Sequence, residues 1–394
     1  MKQPEIDYWI RAMLTAHDSV SDLNITVGRT LQVESAGQLL PVTTAPPISA
    51  LTPFQTEVFA LNLINGNRRL LRDLIREGSC DLSYALDDGI RFRVNIFSQQ
   101  GCLTTILRKL ETEIPSIEGM NFPACFHKMA GARNGLILFT GATGSGKSTS
   151  LAALLHKINQ ERAVHVVTLE DPIEYVHPHI QATFNQRELG SDFSAFSSGL
   201  RAALRQAPKV ILVGEMRDRE TLEIGLTAAE TGHLVLSTLH TIDAGQTINR
   251  ILGAFEQEEQ PQIRNRLVDS IRWIVAQRLL PRIGGGRVAA MEILYNSLRI
   301  QDLILNGEDE DKTYYNIIKE GSAKDMRTFD QHILELFDQG LISEETALSY
   351  GSQRSEIARG IDLSKARRGE ATSTLAGLSM EEEEEDDPWT RKRS

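Results

Sequence analysis

The stretch that decides the fold is GATGSGKST, Gly141 to Thr149, set between the apolar run LILFT (136–140) and the helix-spaced SLAALLHKI (150–158). It satisfies G-x-x-x-x-G-K-[S/T] in the strand, loop and helix context that a phosphate-binding loop requires. Glycines let the backbone turn so that successive N–H groups and the following helix N-terminus point at phosphate oxygens. Gly141, Ala142, Thr143, Gly144, Ser145, Gly146, Lys147, Ser148 and Thr149 are therefore the candidate nucleotide-binding residues. Lys147 is placed to reach the β- and γ-phosphates, and the Ser148 hydroxyl to ligate Mg²⁺. The loop specifies nucleotide phosphates and leaves open what their hydrolysis drives.

Outward from this loop, residues 135 to about 295 alternate apolar strands (LILFT, VVTL, VILVG, LVLSTL) with helical runs such as STSLAALLHKIN. That alternation predicts a parallel sheet with crossover helices. Three strand ends carry polar chemistry. VVTLEDPIEYVH (166–177) places Glu170, Asp171 and Glu174 where such sheets face their ligand, either to polarise water and hold magnesium through its waters or as solvated loop acids. KVILVGEMRD (209–218) ends an apolar strand at Glu215, the Walker B arrangement, second shell to Mg²⁺ or base to water. TGHLVLSTLHT (231–241) carries His233 and His240 at the two ends of an apolar run, on opposite faces of a strand and with no acid or cysteine to complete a metal site. Both read as satisfied structural histidines, with a γ-phosphate sensor as the alternative for His240.

The chain has 394 residues and a formal charge of −11, with 41% hydrophobic residues, which excludes wholesale disorder and is enough for two or three packed domains. Seven consecutive acids, Glu381 to Asp387, carry much of that charge, and without them the remainder stands near −4. A core so nearly balanced shows no basic field for nucleic acid. The segment from about 363 onward reads as a disordered acidic tail, solvating or docking. No run of roughly 18–20 uncharged apolar residues suggests a spanning helix, and the N-terminus lacks a basic region followed by an apolar run, so a cytoplasmic protein is expected. Cys80, Cys102 and Cys125 form no CxxC pair and read as ordinary thiols.

Upstream of the loop, LNITV (23–27), LQVES (31–35), CDLSYAL (80–86) and RFRVNIFS (91–98) have strand-like alternation, while FQTEVFALNLI (54–64) and LLRDLIREG (70–78) recur at helical spacing. A small α+β domain over residues 1–112 follows, then a linker over 113–123 containing Pro115, Gly119 and Pro123, a nucleotide-binding core over 124–296 and a helical region over 297–362. LILNGEDED and HILELFDQGLISEETAL are the clearest helical pieces of that last region.

The four boxes GATGSGKST, LEDPIEYVH, ILVGEMRD and TGHLVLSTLHT, in this order, resemble the secretion ATPase superfamily of type IV pili, type II secretion and conjugation. NQRELGSDFSAFSSGLRAALRQAP (185–208), LTAAETGH (226–233) and QIRNRLVDSIRWIVAQRLLPR (262–282) resemble its twitching-motility, or pilus retraction, branch, and the likeness covers about residues 20 to 350. The resemblance implies an α/β fold with a RecA-like P-loop ATPase domain behind a PAS-like domain, ATP and Mg²⁺ as ligands, and a cytoplasmic homo-hexamer at the inner membrane. It implies a membrane platform protein as partner and a companion retraction ATPase. Carried over by motif, Glu174 is the expected catalytic glutamate, Glu215 the Walker B glutamate, with Asp171 and Glu215 second-shell to the metal. His233 and His240 match the Walker B-associated and histidine-box positions. Arg93 in RFRVN and Arg108 in LRK match arginines that reach phosphates from outside the loop, where a guanidinium neutralises transition-state charge.

Departures matter too. Principal retraction motors carry an AIRNLIRE segment, and RIQDLILN (299–306) lacks its arginines and glutamate, while MRTFDQHILELFDQGLISEETAL (326–348) looks more like the retraction-accessory paralogue. Assembly and type II secretion ATPases are generally longer and often carry a four-cysteine zinc module, which three cysteines without a CxxC pair cannot build. The resulting expectation is a motor for pilus retraction, principal or accessory. The competing readings are a non-motor partner subunit of such a motor, an assembly or secretion ATPase, and a nucleic-acid translocase.

Overall fold

The computed structural model describes residues 3–310, 312–322 and 325–370. Its first elements are α1 (Gln3–Thr15), β1 (Val20–Ile25), β2 (Gln32–Ser35), β3 (Gln38–Pro41), α2 (Pro53–Ile64), α3 (Arg68–Glu77), β4 (Ser79–Ala85), β5 (Arg91–Gln99) and β6 (Cys102–Lys109). The six strands form one sheet in the order β3-β2-β1-β6-β5-β4, with antiparallel pairing throughout. On β5, Phe92, Val94 and Ile96 face inward and Arg91, Arg93 and Asn95 outward, so one face packs and the other stays polar. Ile6, Ile10 and Met13 of α1 and Phe59 of α2 close the apolar side. Local signals set the helix ends. Thr52 and Gln55 form a reciprocal capping box ahead of Pro53, and Gly78 closes α3 in the left-handed region at φ +76°.

Residues 110–124 carry no helix or strand. Beyond them come α4 (Cys125–Gly131), β7 (Gly135–Thr140), α5 (Lys147–Glu161), β8 (His165–Glu170), β9 (Thr183–Glu188), α6 (Phe196–Ala203), β10 (Val210–Val213), α7 (Arg219–Glu230), β11 (Leu234–Leu239), α8 (Ala244–Leu252), α9 (Gln260–Ser270), β12 (Ile271–Pro281) and β13 (Arg287–Tyr295). The sheet order is β13-β12-β7-β11-β10-β8-β9. β10 runs parallel to both β8 and β11, and β8 parallel to β9. Every residue of β7, β10 and β11 is buried, as expected for central strands covered on both faces. Each large apolar side chain removed from water there contributes about 1.5–3 kcal/mol.

The C-terminal helices are α10 (Leu298–Asn306), α11 (Tyr314–Glu320), α12 (Phe329–Asp338), α13 (Glu344–Tyr350) and α14 (Arg354–Arg368). Phe329, Ile333 and Leu336 of α12 pack with Ile357 and Ile361 of α14 and with Ala290 of β13. Two sequence expectations need correction. LILNGEDED is helical only as far as Asn306, because Gly307 turns the chain at φ +88°. The last helix runs to Arg368, past the expected start of the tail at 363, because Ser364 is buried and Arg368 donates to the carbonyls of Phe337 and Asp338. The acidic run 381–387 lies outside the described residues.

Two compact units emerge: residues up to Phe139 with Lys147–Leu239 and Ile251–Trp273, and Thr140–Gly146 with His240–Arg250 and the chain from Ile274 onward. Among the described residues no helix is long and apolar enough to cross a membrane.

Candidate nucleotide site

β7 delivers the chain into the glycine loop, and α5 leaves it at Lys147. Gly141, Gly144 and Gly146 have φ of +143°, +78° and +87°, conformations that L side chains avoid. A Cβ on Gly141 would stand 2.4 Å from the Gln277 carbonyl oxygen and 2.6 Å from Ser145 Oγ, and one on Gly146 would stand 2.8 Å from Gln277 Nε2. Gln277 is buried on β12, and its amide donates to the Ser145 carbonyl at 2.8 Å, bracing the loop. Nothing in the local spelling of the loop pointed to that residue, since the contact spans 132 positions. Ala142, Thr143 and Gly144 are exposed, whereas Ser148 and Thr149 are half-buried. The Oγ1 of Thr149 lies 3.4 Å from the Tyr175 hydroxyl.

Lys147 is buried, and burial pushes its ammonium below the ordinary lysine value while the charges of Glu174 and Glu215 oppose the shift. The attraction of those two carboxylates favours the charged ammonium, the form that binds phosphate oxygens. The acids lie beyond the C-terminal ends of the neighbouring strands β8 and β10. Leu169 and Val213 are register partners in β8 and β10, and the Gly214 amide donates to the Leu169 carbonyl at 2.7 Å, so Glu215 emerges beside Glu170 and Asp171. The hydroxyls of Ser237 and Thr238 on β11 hold the carbonyls of Val213 and Gly214 at 2.7 and 2.6 Å. Glu215 also pairs with Arg217. Asp218 is a helix cap, its carboxylate accepting from the amide and hydroxyl of Thr221, both at 2.8 Å.

Burial raises the Glu170 carboxyl to about 7, against the hydrogen bonds from Thr168 Oγ1 at 2.6 Å and Gln186 Nε2 at 3.1 Å. Asp171 is also raised by burial, and the charge of Arg93 opposes this, which places Arg93 within electrostatic reach of the acidic box. Arg93 and Arg108 are directly opposed on β5 and β6. Two like charges in register would repel. Asp22 on β1, next in the same row, accepts from Arg108 Nε at 2.8 Å and relieves the strain.

The two histidines part company. The His233 ring contacts the Ala228 carbonyl at 3.0 Å, and its own carbonyl accepts from Gly135 N at 3.0 Å, at the start of β7 and β11. That is the sheet end away from the glycine loop, so His233 is a satisfied structural residue. His240 is exposed immediately after the C-terminal end of β11, the end at which parallel sheets present ligand-binding groups. Cys80 and Cys125 are buried and Cys102 half-buried, none in a disulfide, and burial lifts the Cys80 thiol to about 11. Among the described residues no three His, Cys, Asp or Glu side chains form a metal cluster. The groups offered to a metal, the Ser148 hydroxyl and the carboxylates of Asp171 and Glu215, are oxygen donors that suit magnesium bound jointly with phosphates.

The profile of the type II/IV secretion system protein family matches residues 78–285, more than half of the chain. This chain belongs to that family. Within it the site is that of a P-loop ATPase. The type IV pilus ATPase PilU of Pseudomonas aeruginosa is 38% identical over 374 residues, covering 94% of this chain and 96% of the relative. The type IV pilus retraction ATPase PilT of the same organism is 38% identical over 333 residues, covering 84% and 94%. A crystal structure of the pilus retraction motor PilT with bound ADP superposes with a TM-score of 0.79 at 38% identity, covering 91% of this chain and 99% of that one. The secretion ATPase fold expected from the four boxes is thus the observed one.

Proposed function

We propose that this chain is an ATP-driven motor of type IV pilus retraction, working as a cytoplasmic homo-hexamer on an inner-membrane platform protein and beside a companion retraction ATPase. The observation that carries the reading is the glycine loop, braced by Gln277 on the Ser145 carbonyl and followed by the buried Lys147 within electrostatic reach of Glu174 and Glu215. Support for the pilus assignment comes from the two pilus relatives, each aligned over most of its length. The accessory role is favoured by RIQDLILN in α10, which lacks the arginines and glutamate of principal motors.

In this mechanism the loop amides of residues 141–149 and the Lys147 ammonium bind the phosphates. Magnesium, held by Ser148 with Asp171 and Glu215 behind it, would supply charge neutralisation on the phosphates. Glu174 accepts a proton from the attacking water as its oxygen bonds to the γ-phosphorus and the bond to the β–γ bridging oxygen breaks, leaving ADP and phosphate. Arg93 and Arg108 bring positive charge from the first sheet toward the phosphates, and His240 senses the γ-phosphate. Loss of that phosphate releases the arginines, and domain motion around a ring becomes force.

The test is surface pilin and twitching speed in a strain lacking this gene, complemented with wild type or Glu215→Gln. Weakened motility with near-normal piliation, restored by wild type only, is the expected result. Excess pili with abolished motility would make it the principal motor, and bald cells would overturn retraction in favour of assembly.

A further inference from the structure

The loop that carries Glu174 has no helix or strand of its own between β8 and β9, yet its backbone is held on both sides of that residue. Two alternate residues of β9, Gln186 and Glu188, share the strand face of their register partners Thr168 and Glu170. Gln186 donates from Nε2 to the Tyr175 carbonyl at 2.8 Å and accepts at Oε1 from the His177 amide at 2.8 Å. Glu188 Oε2 accepts from the Ile173 amide at 3.2 Å and from Ser83 Oγ of β4 at 2.9 Å. Arg91 of β5 completes the arrangement. Its Nη1 donates to the Ile173 carbonyl at 2.7 Å, and its Nη2 lies 3.7 Å from Glu188 Oε2.

Glu174 is therefore bracketed: both backbone groups of residue 173 and the carbonyl of residue 175 are tied to side chains. The Arg91 and Glu188 side chains are only 17% and 12% exposed, so their mutual attraction is weakly screened and a lost partner would leave a buried charge. Arginine suits this place because a planar fork can serve a carbonyl and a carboxylate together, which an ammonium on a flexible stem cannot do in the same geometry.

We propose that Arg91, Gln186 and Glu188 are positioning residues that hold the Glu174 carboxylate at the reacting centre, with Arg91 transmitting the placement of the six-stranded sheet to it. The inference rests on the reading of Glu174 as the group that activates water. A misplacement of about 1 Å at a reacting group can cost on the order of 100-fold in rate with little effect on ground-state binding.

The experiment uses the full chain with Arg91→Lys, Gln186→Leu and Glu174→Gln, measuring kcat and KM for ATP, equilibrium binding of a fluorescent ATP analogue, oligomeric state and melting temperature. Arg91→Lys and Gln186→Leu are expected to lower kcat about 10- to 100-fold while analogue affinity stays within about threefold and the melting transition and assembly are retained. If Glu174→Gln turns over normally, the assignment of Glu174 fails and the clamp has nothing to position. If Glu174→Gln is inactive while Arg91→Lys and Gln186→Leu keep wild-type kcat, the clamp alone is overturned. Equal losses of turnover, binding and melting temperature in those two variants would make the contacts merely structural and overturn it as well.

Discussion

Replacing Gly146 with alanine, next to the same change at Gly144, measures how far the tertiary brace on the glycine loop supports nucleotide binding. The two glycines have similar φ, +78° at Gly144 and +87° at Gly146, so each alanine carries about 1–2 kcal/mol of backbone strain. Around Gly144 an added Cβ meets nothing within 4 Å, whereas at Gly146 it stands 2.8 Å from Gln277 Nε2. The amide must move and surrender its 2.8 Å bond to the Ser145 carbonyl. Ser145 is 7% exposed, so its carbonyl is left without that donor at a cost of about 1–3 kcal/mol. Binding requires the strained loop, so Gly146→Ala should bind ATP about 5- to 150-fold more weakly than Gly144→Ala. Equilibrium titration with a fluorescent ATP analogue reads this difference directly. Gln277→Ala adds the control: it should weaken binding in the wild-type loop but cost much less in the Gly146→Ala background, where the bond is already lost. Equal affinities for the two glycine variants, or strictly additive effects with Gln277→Ala, would refute the argument.

Other outcomes follow from the same geometry. Lys147→Ala should lower nucleotide affinity sharply by removing the buried cation that faces Glu174 and Glu215, and unchanged binding by calorimetry would remove the loop from the site. Arg93→Ala and Arg108→Ala should depress ATP turnover by about tenfold or more with the melting transition intact, and normal kinetics in both would leave them as surface charges. Glu292 is buried, accepts from the Ala244 amide at 2.9 Å, and has its carboxyl raised from 4.5 to about 7 by burial. Between those values the folded protein holds a proton that the unfolded chain has released, so this group's contribution to stability is lost as pH rises through the window and stays flat above it. Denaturant midpoints of Glu292→Gln should lose that downward slope relative to wild type. His332 acts in the opposite sense: its ring accepts from the Met291 amide at 2.9 Å, and burial lowers it from 6.5 to about 4. Its contribution is lost as pH falls through 6.5 toward 4, so the Glu292→Gln difference curve, not the raw profile, isolates the carboxyl.

By itself the sequence determined the glycine loop, the parallel core and the order of the strand-end acids. Each of these is written in neighbouring residues: the G-x-x-x-x-G-K-S spacing, the apolar runs of β7, β10 and β11, and the acids at the ends of β8 and β10. The helix α1, the short strand β3 and the strand β6 were not distinguished, since their burial depends on packing against β1, β2 and β5 and not on a sharp local period. LILNGEDED misled in the other direction, because an apolar start outweighed the stop signal of Gly307. Only the tertiary structure decided which polar residues meet. Gln277 reaches the loop across 132 positions, Arg93 faces Arg108 with Asp22 beside them, His233 turns away from the site, and Gln186, Glu188 and Arg91 close around residues 173 to 177. The physical reason is range. Motif spacing and hydrophobic period report what a segment does with its own backbone, whereas a hydrogen bond between distant side chains exists only after strands have paired in register and excluded water from between them.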